Sequence, residues 1–161
     1  MKKEMMSFGY ELYDSADELS PGDAELLSAA RKITSSAYAP YSHFKVGATA
    51  RLANGEIVNG TNQENAAYPV GICAERVLMG TAAVLHPNMP IETMAISYQS
   101  EEGDNSKPAS PCGMCRQYLK EFEDRTQAPV RLILSGQTGK VYIIESASQL
   151  LPFSFGGADL K

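Results

Sequence analysis

The chain has 161 residues, of which 43% are hydrophobic and 20% charged, and its formal net charge is −5 at pH 7. This length and apolar content predict one domain that can bury its own core. The negative charge argues against a nucleic-acid partner, and no apolar run approaches the ~20 residues that span a bilayer. With a polar start in place of an apolar leader, we expect a cytoplasmic protein that contacts neither membrane nor nucleic acid.

The first twenty residues are acidic and weakly patterned, and we interpret 1–20 as an N-terminal extension to a single domain at 21–161. Within this segment Phe8, Tyr10 and Leu12 alternate along the chain. That pattern fits either a short edge strand or packing against a neighbouring surface. It points to no function.

Helix and turn signals divide the rest of the chain. Ser20 is a suitable N-cap, Pro21 favours a first helical turn, and the helix must end before Pro40. An Asn-Gly pair at 54–55 predicts a hairpin. The predicted elements are, in chain order, a helix from 21, strands at 44–52 and 56–61, a helix at 73–85, a strand at 91–98, a helix at 112–122, strands at 130–134 and 141–144, and one helical turn at 146–150. This order predicts an α/β fold of three layers, α/β/α, around a five-stranded mixed sheet, with an exposed polar loop at 99–109.

All three cysteines lie in two short motifs, Cys-Ala-Glu at 73–75 and Pro-Cys-Gly-Met-Cys at 111–115. Three thiolates match the three protein ligands of a catalytic zinc, whose fourth position is left for water. An odd cysteine count argues against a disulfide framework. The spacing resembles the signature of zinc-dependent nucleobase deaminases. We therefore expect one Zn²⁺ per chain, bound by Cys73, Cys112 and Cys115.

The glutamate of the first motif is the expected proton carrier. Glu75 would take a proton from zinc-bound water, the hydroxide would attack an amidine-type carbon, and the same carboxyl would protonate the ring nitrogen and the departing amine. Three thiolates leave the zinc electron-rich, and predicted helix N-termini at both motifs would offset that charge. Arg76 would hydrogen-bond the cysteine sulfurs from the second shell, and Arg116 is a second candidate of lower rank.

A closed structural zinc site is the alternative interpretation of the cysteines. Such sites have four ligands, and the chain offers no fourth cysteine. His43 or His86 would have to complete the set, but His43 lies in a polar turn and His86 in a His-Pro pair that ends a helix. The catalytic interpretation is favoured because the motif, the ligand count and Glu75 agree.

Several further blocks resemble the small cytidine deaminases, and the three-cysteine ligand set in a short chain is similar to their homotetrameric class. The likeness runs from about residue 22 to the C-terminus. Its blocks are YAPYSHFKVGA at 38–48, GTNQENAAY at 60–68, CAER at 73–76, SPCGMCRQ at 110–117 and LLPFSFG at 150–156.

This resemblance implies hydrolytic deamination of cytidine and 2′-deoxycytidine to the uridines and ammonia, by attack of zinc-bound hydroxide at C4, as part of pyrimidine salvage. Asn62 and Glu64 would hold the ribose 3′-hydroxyl, although this segment also fits a polar turn. Phe44 would lie against the pyrimidine, although it also fits a core position. The resemblance further assigns the Ala74 backbone N–H to the base O2, the Ser110 carbonyl to the exocyclic amine, and Tyr68 and Phe155 to a neighbouring subunit's pocket in a homotetramer with shared active sites.

Three other functions are open to this chain. A related enzyme would deaminate another cytosine-containing nucleoside, such as a nucleoside antibiotic. A polynucleotide-editing enzyme is disfavoured by the negative charge and by the absence of a basic stripe. A zinc-stabilised binding module without turnover would leave Glu75 with no role.

Overall fold

A six-stranded mixed sheet lies at the centre of the computed structural model, which describes residues 1–160. Its strands are β1 (Glu11–Tyr13), β2 (Phe44–Leu52), β3 (Ile57–Thr61), β4 (Ile91–Ser100), β5 (Arg131–Ser135) and β6 (Val141–Ile144). They lie in the order β1-β6-β5-β4-β2-β3. The β4–β5 pair is parallel, and the other neighbours are antiparallel.

The prediction of five strands is wrong because β1 adds a sixth at the sheet edge. Leu12 pairs with Tyr142 of β6, and the ring of Tyr10 contacts the ring of Tyr142 at a centroid distance of 5.1 Å. The strand has three residues and stays largely exposed, so its own pattern is weak and its partner lies far away in sequence. The division into 1–20 and 21–161 stays a prediction, although part of the first segment joins the sheet.

Three α-helices cover the two faces of the sheet within residues 1–160: α1 (Pro21–Ile33), α2 (Ala74–Leu85) and α3 (Gly113–Thr126). On one face, Leu27 and Ala30 of α1 pack against Ile133 and Ile143. On the other face, α2 and α3 share a second cluster with the sheet, in which Leu78 and Leu119 are fully buried. The predicted three-layer α/β/α architecture is confirmed.

Local signals explain most element boundaries. The Ser20 hydroxyl accepts a hydrogen bond from the Asp23 N–H at 3.3 Å, as an N-cap should, and Gly55 takes the hairpin turn with φ of 87°. The predicted end of α3 at 122 is wrong, because the helix continues to Thr126. It ends there because Gln127 adopts a left-handed conformation with φ of 53°.

Close contact between β3 and α2 brings the start of that helix to one end of the sheet. A Cβ atom at Gly60 would lie 2.3 Å from the carbonyl oxygen of Ala74, so this approach requires glycine. No helix in residues 1–160 is both long and apolar enough to cross a membrane.

Candidate active site

The three cysteines converge at the starts of two helices. Cys73 is the N-cap of α2, Cys112 is the N-cap of α3, and Cys115 lies in the first turn of α3. The Cys112 Sγ lies 3.7 Å from the Cys73 Sγ and 3.5 Å from the Cys115 Sγ. Thiolates that each lie ~2.3 Å from a tetrahedral zinc are about 3.8 Å apart. The cluster therefore fits a zinc ion.

Helix ends and neighbouring groups favour the thiolate form of Cys73. The N-termini of α2 and α3 place positive partial charge and free N–H groups beside the sulfurs. Hydrogen bonding by the Cys115 thiol outweighs burial and lowers the pKa of Cys73 to about 6. The same hydrogen bond, with burial, raises the pKa of Cys115. The thiols thus share protons, which a bound metal would displace.

No histidine, aspartate or glutamate within residues 1–160 completes the group as a fourth ligand. His43 Nδ1 lies 3.4 Å from a carboxylate oxygen of Glu101, and His86 ends α2. Three protein ligands with an open fourth position are the arrangement of a catalytic centre.

Glu75 is a buried acid in the first turn of α2, with 4% of its surface exposed. Burial raises the pKa of its carboxyl group, and this effect exceeds the opposing influence of its own backbone N–H and of the Cys115 thiol. A buried carboxyl group with a raised pKa is typical of a general acid or base.

A cleft of about 330 Å³ opens beside Glu75 and the cysteines. Its volume lies within the range of small-molecule sites. It brings together most of the predicted site residues: Phe44, Asn62, Glu64, Tyr68, Cys73, Glu75, Ser110 and Cys112. Ala74 and Cys115 are fully buried.

The two polar residues predicted to hold the sugar also organise the cleft wall. The Asn62 amide donates to the Phe44 carbonyl at 2.9 Å and accepts from the Val46 N–H at 2.7 Å. A carboxylate oxygen of Glu64 accepts from the N–H groups of Tyr41 and Ser42 at 2.9 and 3.3 Å. The Ser42 hydroxyl and these two amides lower the pKa of Glu64, so this carboxylate is charged at neutral pH.

Two of the predicted residues lie outside this cleft. Arg76 and Phe155 line a separate groove of about 630 Å³ along α3, and the Phe155 side of that groove is held by a 2.9 Å hydrogen bond from Gln117 to the Phe155 carbonyl. The charge of Arg76 lowers the pKa of Cys73. Arg116 donates to the carbonyls of Pro111 and Leu150, which fixes the loop before Cys112.

Three residues around the cleft were not predicted from the sequence. The Tyr41 and Ser42 amides hold Glu64, and their position in a polar turn next to Phe44 is the one available signal. Tyr98 lies behind Phe44, with the ring centroids 4.7 Å apart. The sequence carries no local signal for Tyr98, because its place depends on the pairing of β2 with β4.

Together, the thiol cluster, the buried acid and the adjoining cleft define a candidate metal-dependent hydrolytic site. A family model described as the cytidine and deoxycytidylate deaminase zinc-binding region matches residues 21–128. A cytidine deaminase of Halalkalibacterium halodurans is 33% identical over 136 residues, which are 84% of this chain and 96% of the relative.

Solved structures agree with this match. A cytidine deaminase from Burkholderia pseudomallei superposes with a TM-score of 0.71 at 32% identity, over 85% of this chain and all of that chain. The cytidine deaminase from Mycobacterium tuberculosis gives a TM-score of 0.62 at 25% identity, over 82% and 95%. The chain belongs to the cytidine and deoxycytidylate deaminase family.

Proposed function

We propose that this protein hydrolyses cytidine and 2′-deoxycytidine to uridine and 2′-deoxyuridine, with release of ammonia. The observation that carries the proposal is the buried Glu75 carboxyl group beside three converging thiols at a cleft of nucleoside size. The family match supports the same reaction.

Cys73, Cys112 and Cys115 would hold one Zn²⁺ per chain, since their sulfur spacing suits that ion. Zinc, when bound, supplies a water molecule of lowered pKa as the nucleophile. Arg76 would not bind the metal itself; its positive charge would favour the Cys73 thiolate.

Glu75 would move the protons of the reaction. Its carboxylate accepts a proton from the attacking water and delivers it to the ring N3. It then accepts the remaining proton from the new C4 hydroxyl and delivers it to the departing amine, which leaves as ammonia as the C4 carbonyl forms. Burial supports this role because it raises the pKa of the group and so favours the protonated form that donates.

The walls of the cleft would orient the base. Phe44 would lie against the pyrimidine ring, and the Ser110 carbonyl would accept from the exocyclic amine. The Ala74 N–H, at the start of α2, would donate to the base O2. These contacts would present C4 to the metal centre.

Asn62 and Glu64 would form hydrogen bonds with the ribose 3′-hydroxyl. Each side chain can form further hydrogen bonds, because an amide has two N–H groups and each carboxylate oxygen has more than one acceptor site. The described residues that line the cleft include two acids and no lysine, arginine or histidine. A phosphate would meet negative charge there, so we expect nucleosides rather than nucleotides as substrates.

Exposed apolar side chains support a homotetramer with shared active sites. Tyr68 is 78% exposed at the cleft, and Phe155 is 59% exposed beside α3. Large exposed apolar groups favour contact with other subunits. The reaction would serve pyrimidine salvage in the cytoplasm, where reducing conditions keep the three thiols free.

The direct test is ultraviolet absorbance of cytidine, 2′-deoxycytidine and cytidine monophosphate incubated with zinc-loaded protein. We expect loss of the cytosine band with one ammonia per nucleoside, and little reaction of the monophosphate. A folded, zinc-loaded protein that leaves both nucleosides unchanged would contradict the proposal and favour a modified cytosine nucleoside or a non-catalytic zinc protein.

Glu64→Ala tests the assignment of the sugar contact. In the unaltered enzyme we expect kcat/KM for 3′-deoxycytidine to fall about 10- to 100-fold below that for cytidine, because the missing hydroxyl removes one hydrogen bond to a charged acceptor. The Ala variant should lose most of this discrimination. Glu101→Ala, which alters another exposed acid near the cleft, is the control. Equal discrimination in the Glu64 variant and the unaltered enzyme would show the assignment to be wrong.

A further inference from the structure

Phe44, the proposed base-facing wall, rests on a second aromatic ring. The rings of Phe44 and Tyr98 stack with centroids 4.7 Å apart and planes 13° apart. Phe44 is 36% exposed, whereas Tyr98 is 6% exposed. Tyr98 thus lies behind Phe44 as a buried support, outside the set of residues that line the cleft.

The strand register produces this stacking. In the antiparallel β2–β4 pair, Tyr98 lies opposite Val46, and Phe44 lies opposite Ser100. Phe44 and Tyr98 are therefore diagonal neighbours on one face of the sheet, a distance that aromatic side chains can bridge. The Phe44 backbone is held as well, since its N–H donates to the Ser42 hydroxyl at 3.1 Å.

The polar loop fixes Tyr98 from the other side. Its predicted start at 99 is wrong, because β4 continues to Ser100 through pairing with β2. The Tyr98 hydroxyl donates to the Asp104 carbonyl at 2.9 Å. The Asn105 side chain closes the loop on Ser100, with bonds of 2.6 and 3.0 Å to its N–H and carbonyl. The prediction that this loop is exposed is therefore wrong for part of its length, since Asn105 is half-buried.

The loop is also seated against the turn between β5 and β6. The Asn105 carbonyl accepts from the Thr138 N–H at 3.2 Å, and a Cβ atom at Gly136 would lie 2.0 Å from that carbonyl oxygen. On leaving this contact, the chain delivers Ala109 and Ser110 to the cleft. The ring and the hydroxyl of Tyr98 thus connect the Phe44 wall to an anchored loop.

We infer that Tyr98 is a positioning residue that fixes the plane of the Phe44 ring and thereby sets the affinity of the cleft for the pyrimidine ring. The inference rests on the proposed function, because Phe44 must face the base. Tyr98 does not touch the reacting atoms, so its contribution should lie in binding and not in the chemical step.

Tyr98→Leu removes the stacked ring, and Tyr98→Phe keeps it while removing the hydroxyl. For Tyr98→Leu we expect KM for cytidine, and the calorimetric dissociation constant of uridine, to rise together by about twofold to tenfold, the range of one aromatic pair. We expect kcat and zinc content to stay near those of the unaltered protein. Tyr98→Phe, which keeps the stacked ring and loses only the bond to Asp104, should change both binding values less than Tyr98→Leu does. Tyr98→Met, whose unbranched side chain adapts to irregular space without a ring, serves as a second variant if the Leu variant does not fold.

A double-mutant cycle tests whether Tyr98 acts through Phe44. In a Phe44→Leu background, the Tyr98→Leu change should alter KM by less than about twofold, because the pair is already broken. Unchanged binding in Tyr98→Leu, equal losses in the Leu and Phe variants, or a parallel fall of kcat and zinc content would overturn the inference. An unaltered protein that neither converts cytidine nor binds uridine would overturn the proposed function instead, and this inference with it.

Discussion

Two buried glutamates in the same helical layer have different surroundings. Glu123 of α3 is 7% exposed, and its carboxylate accepts from the backbone N–H groups of Val130, Ala147 and Ser148 at 2.7, 2.9 and 3.1 Å. Glu75 of α2 is 4% exposed. Within the described residues, its own N–H and the Cys115 thiol are the groups that favour its charge, and burial outweighs them.

We propose that this difference separates an acid that stabilises the fold from one that takes part in the reaction. Glu123 connects α3 to the start of β5 and to the turn after β6, and its hydrogen bonds offset the cost of burial. Glu75 carries that cost with little compensation and faces a cleft. A buried polar group that the fold leaves poorly paired is a candidate for chemistry.

The largest expected effect comes from the metal centre beside Glu75. Cys112→Ser removes one of three ligands, so we expect bound zinc to fall well below one per chain and cytidine turnover to fall to background. Atomic absorption and the ultraviolet assay measure the two quantities. Met114→Ser, a change at an exposed neighbour in the same helical turn, should keep both. Full zinc content in the Cys112 variant would contradict the ligand assignment.

Glu123→Ala should affect stability instead of chemistry. It leaves the backbone N–H groups of Val130 and Ser148 without their acceptor, whereas the Ala147 N–H keeps the Val130 carbonyl at 3.0 Å. We expect the free energy of unfolding to fall by about 3 kcal/mol. Urea unfolding measures the loss, with exposed Glu121→Ala as the control. Cytidine turnover per folded molecule of this variant at 25 °C should stay within a few-fold of that of the unaltered protein. A Glu123 variant that is stable but inactive would contradict the structural role proposed for Glu123.

Substitution of Asp23, which lies on the opposite face of the sheet, should have a smaller effect on the free energy of unfolding, and this effect should depend on pH. Burial opposes ionisation of its carboxyl group, but the two hydrogen bonds from Arg131, at 2.9 and 3.0 Å, outweigh it and lower the pKa. We expect Asp23→Asn to cost about 1–2 kcal/mol of unfolding free energy at neutral pH.

The sign of the pH dependence follows from the lowered pKa of Asp23. The stabilisation is complete above the pKa of an unfolded aspartate, about 3.9, and is lost as the pH falls through the lower folded-state value. Urea unfolding at pH 7, 4 and 3 should therefore show the gap between the unaltered protein and Asp23→Asn narrowing with acid. A difference in unfolding free energy that stays constant with pH would show that the ion pair between Asp23 and Arg131 does not cause it.

Features with local signals were predictable from the sequence. The Ser20 cap, the Asn-Gly hairpin and the hydrophobic patterns placed the helices and five of the six strands. The cysteine spacing placed Cys112 and Cys115 on one helical turn, and the resemblance to a known family joined them to Cys73. Such features are determined mainly by residues that are close together in the sequence.

Features that depend on distant partners were not predictable. The alternation of Phe8, Tyr10 and Leu12 allowed a short edge strand as one of two alternatives, but only the pairing with β6, about 130 residues later in the chain, decides for it. Tyr98 supports Phe44 through the β2–β4 register, and Asn105 is held against a turn that contains Gly136. Composition identified the 99–109 loop as polar, but the structure alone shows which surface anchors it.

The central claim is that Glu75 moves the protons at this site, and its most direct test is cytidine turnover per bound zinc in Glu75→Ala. We expect a fall of about 10²- to 10⁴-fold, with unchanged zinc content and little loss of stability, whereas Glu121→Ala should keep full turnover. Turnover in the Glu75 variant close to that of the unaltered enzyme, at equal zinc content, would contradict the account.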